Sequence, residues 1–299
     1  MAKSKAKKSK PSAPSRTPRF TAVNALRYQR QALIRALESE TKTTLLCYVA
    51  GINAVISRDD TAGFVDLLYN VPQGAPVDLL LHTPGGDIDV AEKLVALLHA
   101  KVGDQGMLQV IVPDFAKSAG TLMALGAHRI LMSDSSELGT IDPQIWLKDG
   151  RGNLICHSVM HYLQAYDDFE AKVRANHTDA AARLMFEKFD PATLHKFTAV
   201  RDRARTVAEN LLKRRGVNWS AIAGKLMNTK EYPSHGQPLG WEVVKNLGLD
   251  VSYRSQTDEI WRRYWELYCH LRLAIREGQE DQRDQKIFES SIASLVIDG

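Results

Sequence analysis

The chain reads as an α/β protein with a mostly parallel sheet and a helical C-terminal half. Three features point there. Short runs such as residues 77–82 (VDLLLH) and 107–113 (MLQVIVP) are apolar on both faces and too short for helices, which suits strands covered on both sides. Stretches with helical apolar spacing alternate with these runs, as in strand–helix–strand units. Glycine-marked turns separate the two kinds of element.

In chain order, residues 20–40 read as an entry helix, and residues 43–51 (TTLLCYVAG) as a strand ending at Gly51. Asp59 to Tyr69 reads as a helix with Phe64, Leu67 and Leu68 on one face. After the strand at 77–82 comes Thr83-Pro84-Gly85-Gly86, then a helix from Val90 to Ala100 that gathers Leu94, Val95, Leu97 and Leu98. The strand at 107–113 leads through a short turn to Ser118-Ala119-Gly120, an apolar helix from Thr121 to Ala127, and a short strand from Arg129 to Met132. From 158 to 227 the pattern is helical: Ser158–Arg174, Ala180–Lys188, Pro191–Arg214 and Trp219–Met227. Pro191 stands at a helix start and Gly216 at a helix stop. Asn228 to Leu239 is a turn-rich loop, Trp241 to Asn246 a short helix, and Asp258 to about Glu277 an amphipathic helix carrying Trp261, Tyr264, Trp265 and Tyr268. That aromatic face suits a core or a subunit interface better than a nucleic-acid stacking platform.

The chain has 299 residues, 44% hydrophobic and 25% charged, which excludes a disordered chain, a fibre and a disulfide scaffold. The formal charge of +4 is uneven. Residues 1–19 hold seven lysines and arginines and no acid, so the remainder nets −3. A basic isoelectric point therefore does not indicate a nucleic-acid-binding core; no nucleic-acid contact is expected outside the tail, which reads first as a solubilising segment and otherwise as a nucleic-acid or partner contact. Residues 1–18, built of Lys, Ser, Ala and Pro, are expected to be a disordered basic tail. Cys47, Cys156 and Cys269 are sparse and show no zinc spacing, which fits a reducing, cytoplasmic setting. No span approaches the ~20 apolar residues a membrane helix needs, so no membrane contact is expected. No P-loop motif is present, and no third ligand joins His157 and His161, so neither cofactor nor metal is expected.

Two turns could carry chemistry. Thr83-Pro84-Gly85-Gly86 is either a plain turn or a place where backbone amides approach an anion or a developing oxyanion. Ala116-Lys117-Ser118-Ala119-Gly120 places a serine between strand and helix, either as an N-cap or as an exposed nucleophile. In a parallel sheet both turns lie at the same strand ends, so together they could offer a nucleophile and an oxyanion hole.

The segments LLLHTPGGDIDVAEKL, VPDFAKSAGTLMALGAHRILM and SELGTIDPQ, followed by YPSHGQPLGWEVVKNLGLDV, resemble the serine dehydrogenase proteinase family of the Clp protease/crotonase superfamily, related to signal peptide peptidase A. The resemblance spans about residues 40–255. Gly86 precedes Ser118 by 32 residues, and Thr140 stands where the family usually has Pro. It implies a Clp/crotonase-like superhelix of ββα units over residues 19–255, with a helical insertion at about 158–227, and leaves 256–299 as a C-terminal helical extension. It also implies a serine hydrolase, most simply a peptidase, with Ser118 as nucleophile and the amides of Gly86 and Ala119 as oxyanion hole.

The general base is less determined. Asp142 falls near the position where Clp proteases carry their histidine, and His235 near their aspartate, so acid and imidazole look exchanged. A Ser118–His235–Asp142 triad is chemically sensible, because a neutral imidazole takes the proton and the carboxylate orients it. His161 and Lys148 are alternative bases, and His235 could instead simply cap its loop. Two other functions stay open: a non-catalytic or conditionally active oligomeric scaffold, and a crotonase-like acyl-CoA enzyme. The resemblance further implies a homo-oligomer acting on a peptide or protein substrate, with a separate unfoldase or delivery partner left open.

Overall fold

The computed structural model describes residues 16–148, 151–216, 218–278 and 282–299. Residues 1–15 of the expected tail lie outside them. The entry helix breaks at Asn24 into α1 (Pro18–Val23) and α2 (Ala25–Thr41). Then follow β1 (Thr44–Ala50), α3 (Asp60–Leu68), β2 (Val77–His82), α4 (Ile88–Val102), β3 (Leu108–Ile111), β4 (Phe115–Ala116), α5 (Ala119–Leu125), β5 (Arg129–Met132) and β6 (Glu137–Leu138). A hairpin of β7 (Gln144–Lys148) and β8 (Leu154–Ser158) precedes the helices α6 (Val159–Ala175), α7 (Ala180–Phe186), α8 (Pro191–Lys213) and α9 (Trp219–Leu226). The chain ends through α10 (Trp241–Asn246), β9 (Val251–Tyr253), α11 (Glu259–Arg272), β10 (Gln285–Glu289) and β11 (Ser294–Asp298).

The main sheet has the order β11-β10-β1-β2-β3-β5-β9. Strands β1, β2, β3, β5 and β9 run parallel, and β10 and β11 are antiparallel additions. The alternation of a strand divides β1 cleanly between two cores. Leu45, Cys47 and Val49 face α2 and α11, where Ile34, Leu37, Trp261, Tyr264 and Leu267 are buried. Leu46, Tyr48 and Ala50 face the opposite core with α3, α4, α5 and α8. Cys47 is thus a buried apolar contact, its thiol pushed up by burial. Helix α8 joins this second core through Val207, Ala208, Leu211 and Leu212, whereas α6 packs mainly in a smaller cluster around Val159, Leu163 and Phe197.

Of the segment 256–299, expected to be a helical extension, α11 is the helical part among the described residues. Beyond it the chain returns as β10 and β11. Strand β10 covers the open edge of β1, pairing Tyr48 with Phe288 and Ala50 with Lys286. Phe288 packs against Tyr48 and Phe64 with ring centres 5.0 and 5.9 Å apart, and burying such a ring contributes about 1.5–3 kcal/mol. The turn at Ser290 to Ala293 separates two short alternating runs, the pattern of a hairpin rather than a helix.

Candidate active site

The two glycine- and serine-bearing turns meet. Beyond the end of β2, Thr83 N–H donates to Phe115 O (3.1 Å) and Lys117 N–H donates to Thr83 O (3.0 Å). This stitches the continuation of β2 to β4 and brings the residues after each into contact. A Cβ on Gly85 would stand 2.7 Å from Ser118 Cβ and 3.2 Å from the Ala119 nitrogen. Only glycine admits that approach.

On its other side the glycine turn lies along Ile56. Ile56 N–H donates to Gly85 O (2.7 Å), and Asp87 N–H donates to Ile56 O (3.0 Å). In this parallel bridge Gly85 C=O and Asp87 N–H point to Ile56, so Gly86 N–H, trans to the Gly85 carbonyl, points to the opposite side. Among the described residues, neither Gly86 N–H nor Ala119 N–H donates to any protein group. Two undonated amides therefore stand on two adjoining turns.

Ser118 holds φ 50° and ψ −116°, a conformation that costs a non-glycine residue about 1–3 kcal/mol. It follows the strand and opens α5, the geometry of a nucleophile elbow. Its side chain caps no amide of α5, so the N-cap reading of this serine is not realised. Lys117 points elsewhere, pairing with Glu137 at 2.9 Å and donating to Leu138 O at 3.2 Å. Thr121 anchors the arrangement from below: its hydroxyl donates to Ala116 O (2.8 Å) and accepts from Gly139 N–H (2.9 Å).

The 139–142 segment then leads to Asp142, which is 4% exposed. Its Oδ1 accepts from Ser158 Oγ (2.8 Å) and from Met160 N–H (3.4 Å) in the first turn of α6. Leu138 and Leu239 exchange two 3.0 Å backbone hydrogen bonds, which draw the 228–239 loop and His235 over this segment. His235 Nδ1 faces Asp142 Oδ2 at 3.7 Å, and neither atom has another hydrogen-bond partner. A cavity of about 420 Å³ is lined by Gly86, Ser118 and His235 together with Val55, Ile88 and Trp146.

The alternative bases stand apart from this cavity. Lys148 ends β7 on an exposed face, and His161 lies exposed in the first turn of α6, where its N–H donates to Ser158 Oγ (3.0 Å). Neither lines the cavity. Among the described residues, no three His, Cys, Asp or Glu side chains converge as metal ligands, and no helix is long and apolar enough to cross a membrane. A second cavity, of about 370 Å³, opens at the N-terminal end of the parallel strands beside Asp78 and Tyr264, on the side opposite Ser118.

Residues 16–270 match the family model for ClpP-like SDH-type serine proteinases. The chain belongs to this family. The chain is similar to an uncharacterized protein of Methanocaldococcus jannaschii, MJ0137, at 29% identity over 237 residues, covering 76% of this chain and 74% of that protein. A second uncharacterized protein of that organism, MJ1495, is 30% identical over 127 residues, covering 39% and 42%. Among solved structures, a variant of the 1510-N membrane-bound stomatin-specific protease is similar at 16% identity, with a TM-score of 0.44 over 70% of this chain and 79% of that one. Another variant of that protease, in complex with a substrate peptide, gives 14% identity and a TM-score of 0.37 over 71% and 89%.

Several site residues were not singled out by sequence reasoning. Ser158 and the first turn of α6 hold Asp142, and Trp146 and Val55 line the cavity. For Trp146 a signal existed: alternating residues flank the Asp149-Gly150-Arg151-Gly152-Asn153 stretch, a hairpin pattern. Val55 and Ser158 carry no such mark, because their roles depend on contacts made across the fold.

Proposed function

We propose that the chain is a serine peptidase acting through an acyl-enzyme on Ser118. The observation that carries this is a cavity lined by a strained serine, the Gly86 turn and an imidazole backed by a buried carboxylate, with the undonated Ala119 amide next to the serine on the adjoining turn. His235 takes the proton from Ser118 Oγ through Nε2 while Oγ attacks the substrate carbonyl. The amides of Gly86 and Ala119 receive the negative charge that grows on the carbonyl oxygen. Asp142 orients the ring and stabilises the imidazolium. The tetrahedral adduct collapses by breaking the C–N bond, and His235 returns its proton to the departing amine. Water then attacks the ester with His235 again as base, releasing the acid and regenerating Ser118. The substrate is a peptide or protein segment entering extended along the Gly86 turn, where main-chain hydrogen bonds hold it.

The test is labelling by a fluorophosphonate probe. The wild-type chain is expected to form a covalent adduct at Ser118. Ser118→Ala is expected to abolish it, and His235→Ala to slow it strongly. A folded wild-type chain that stays unlabelled across pH 6–9 overturns the reading.

A further inference from the structure

Strand β10 buries a charged pair directly behind the rail that carries the glycine turn. Lys286 is 1% exposed and Asp60 is wholly buried. Lys286 Nζ donates to Asp60 Oδ1 (2.7 Å), to Val55 O (2.7 Å) and to Ser57 Oγ (3.1 Å), so all three of its protons are placed. The other oxygen of Asp60 accepts from Tyr48 OH (2.8 Å) and Ser57 N–H (3.0 Å). The pair therefore grips both neighbours of Ile56. Ile56 is the residue whose N–H and C=O hold Gly85 and Asp87 on either side of Gly86.

We infer that Lys286, paired with Asp60, is a positioning residue for the oxyanion hole, holding segment 55–57 so that Gly86 N–H stays aimed at the cavity beside Ser118. The inference rests on the peptidase reading above and extends it to a residue outside the 16–270 match. A buried ion pair of this kind is a poor stability device, because desolvation of two charges offsets their attraction. Its hydrogen bonds are instead spent on the backbone that places Gly86. Oxyanion-hole donors act through placement, and misplacing such a group by about 1 Å costs about 10²-fold in rate. The effect should fall on the chemical step, leaving first contact with the ligand and the base untouched.

The experiment uses the full chain and a fluorophosphonate probe, with the saturable labelling rate separated into probe affinity and maximal rate. Lys286→Met leaves a buried carboxylate without its partner, so Asp60→Asn with Lys286→Met, which removes both charges at similar volume, is the principal variant. We expect this double variant to melt cooperatively and to label at least tenfold more slowly at saturation. Its probe affinity and the pH midpoint of labelling should stay those of the wild type. A folded double variant that labels within twofold of wild type overturns the inference and leaves Ser118 chemistry standing. If neither variant folds, Ser57→Ala, which removes one Lys286 contact and keeps the pair, decides: a threefold or greater loss in maximal rate supports the inference, and an unchanged rate overturns it. An unlabelled wild-type chain removes the peptidase reading, and this inference with it.

Discussion

His235 Nδ1, at the edge of the serine cavity, faces Asp142 Oδ2 at 3.7 Å, and among the described residues neither atom has a hydrogen-bond partner. The carboxylate is held in place by Ser158 and the amide of Met160, so the approach that closes the gap belongs to the 228–239 loop. Catalytic hydrogen bonds are often long before substrate binds and tighten afterwards. Asp142→Asn should preserve the fold and slow fluorophosphonate labelling about 10²- to 10⁴-fold, the range expected when an imidazole loses its orienting carboxylate. In the proposed mechanism His235 and Asp142 act as a unit, so the double variant Asp142→Asn/His235→Ala should lose little more than His235→Ala alone. Additive losses would show that Asp142 does not work through His235.

Gly86→Ala tests the proposed role of the glycine turn as an oxyanion hole. Gly86 has φ 146°, and a Cβ there would lie 2.4 Å from Ile56 O and 2.5 Å from Ile56 N. Those are backbone atoms and cannot swing aside. We expect a loss of about 1–3 kcal/mol in stability from overpacking, and a fall in labelling of about 10²-fold or more. Gly74→Ala is the matched control. Gly74 also has positive φ, 79°, but nothing lies within 4 Å of a Cβ there. It should lose some stability through strain and label at the wild-type rate. Equal labelling by both variants would remove Gly86 from the chemistry.

These two turns were readable because each is local. Pro84-Gly85-Gly86 and Ser118-Ala119-Gly120 announce themselves within a few residues, and the buried strands before them are unmistakable in their apolar runs. What joins them is not local. His235 reaches Asp142 because Leu138 pairs with Leu239, a contact between segments far apart in the chain. Strand β10 reads as an ordinary polar-apolar run, and its lysine looks like a surface residue. Only the sheet order, with β10 beside β1, puts Lys286 in the interior against Asp60. The end of the helix is a different matter, a local signal: the periodicity of α11 does not carry on past Arg272, and two short alternating runs follow.

Ser118→Gly tests whether the elbow stores strain. At φ 50° and ψ −116° a serine costs about 1–3 kcal/mol, and glycine tolerates positive φ freely. Glycine gives back about 0.5–1 kcal/mol through the greater freedom of its unfolded chain. Ser118→Gly should therefore be more stable than Ser118→Ala by about 0.5–2 kcal/mol, measured by urea unfolding, while both fail to label. If Ser118→Ala is equally or more stable, the conformation is not strained and the elbow argument weakens.

A buried histidine outside the proposed chemistry makes the stability of the fold depend on pH. His82 ends β2 just before the glycine turn and is fully buried, between Phe115 and Tyr268. Its Nδ1 lies 3.0 Å from Ala50 O, and its Nε2 lies 2.8 Å from Arg272 Nη1 and 3.4 Å from Asp114 Oδ2. Arginine can only donate, so Nε2 accepts, Nδ1 carries the proton, and the ring is neutral. Burial holds His82 below its ordinary value of 6.5, and burial lowers His99 and His128 in the same direction. In the unfolded chain these rings take up protons as pH falls through 6.5, while the folded chain declines them. The unfolded state then binds more protons, so stability rises with pH through this window and is fully present above it. The urea midpoint should be lower at pH 5.5 than at pH 7.5, and the drop should be smaller in His82→Gln. Asp78 and Glu289, raised by burial, act in the opposite direction at lower pH, but they are common to both proteins, so the difference isolates His82. The same drop in both proteins would mean that His82 is protonated in the folded chain, paired with Asp114, and that Arg272 does not hold it neutral.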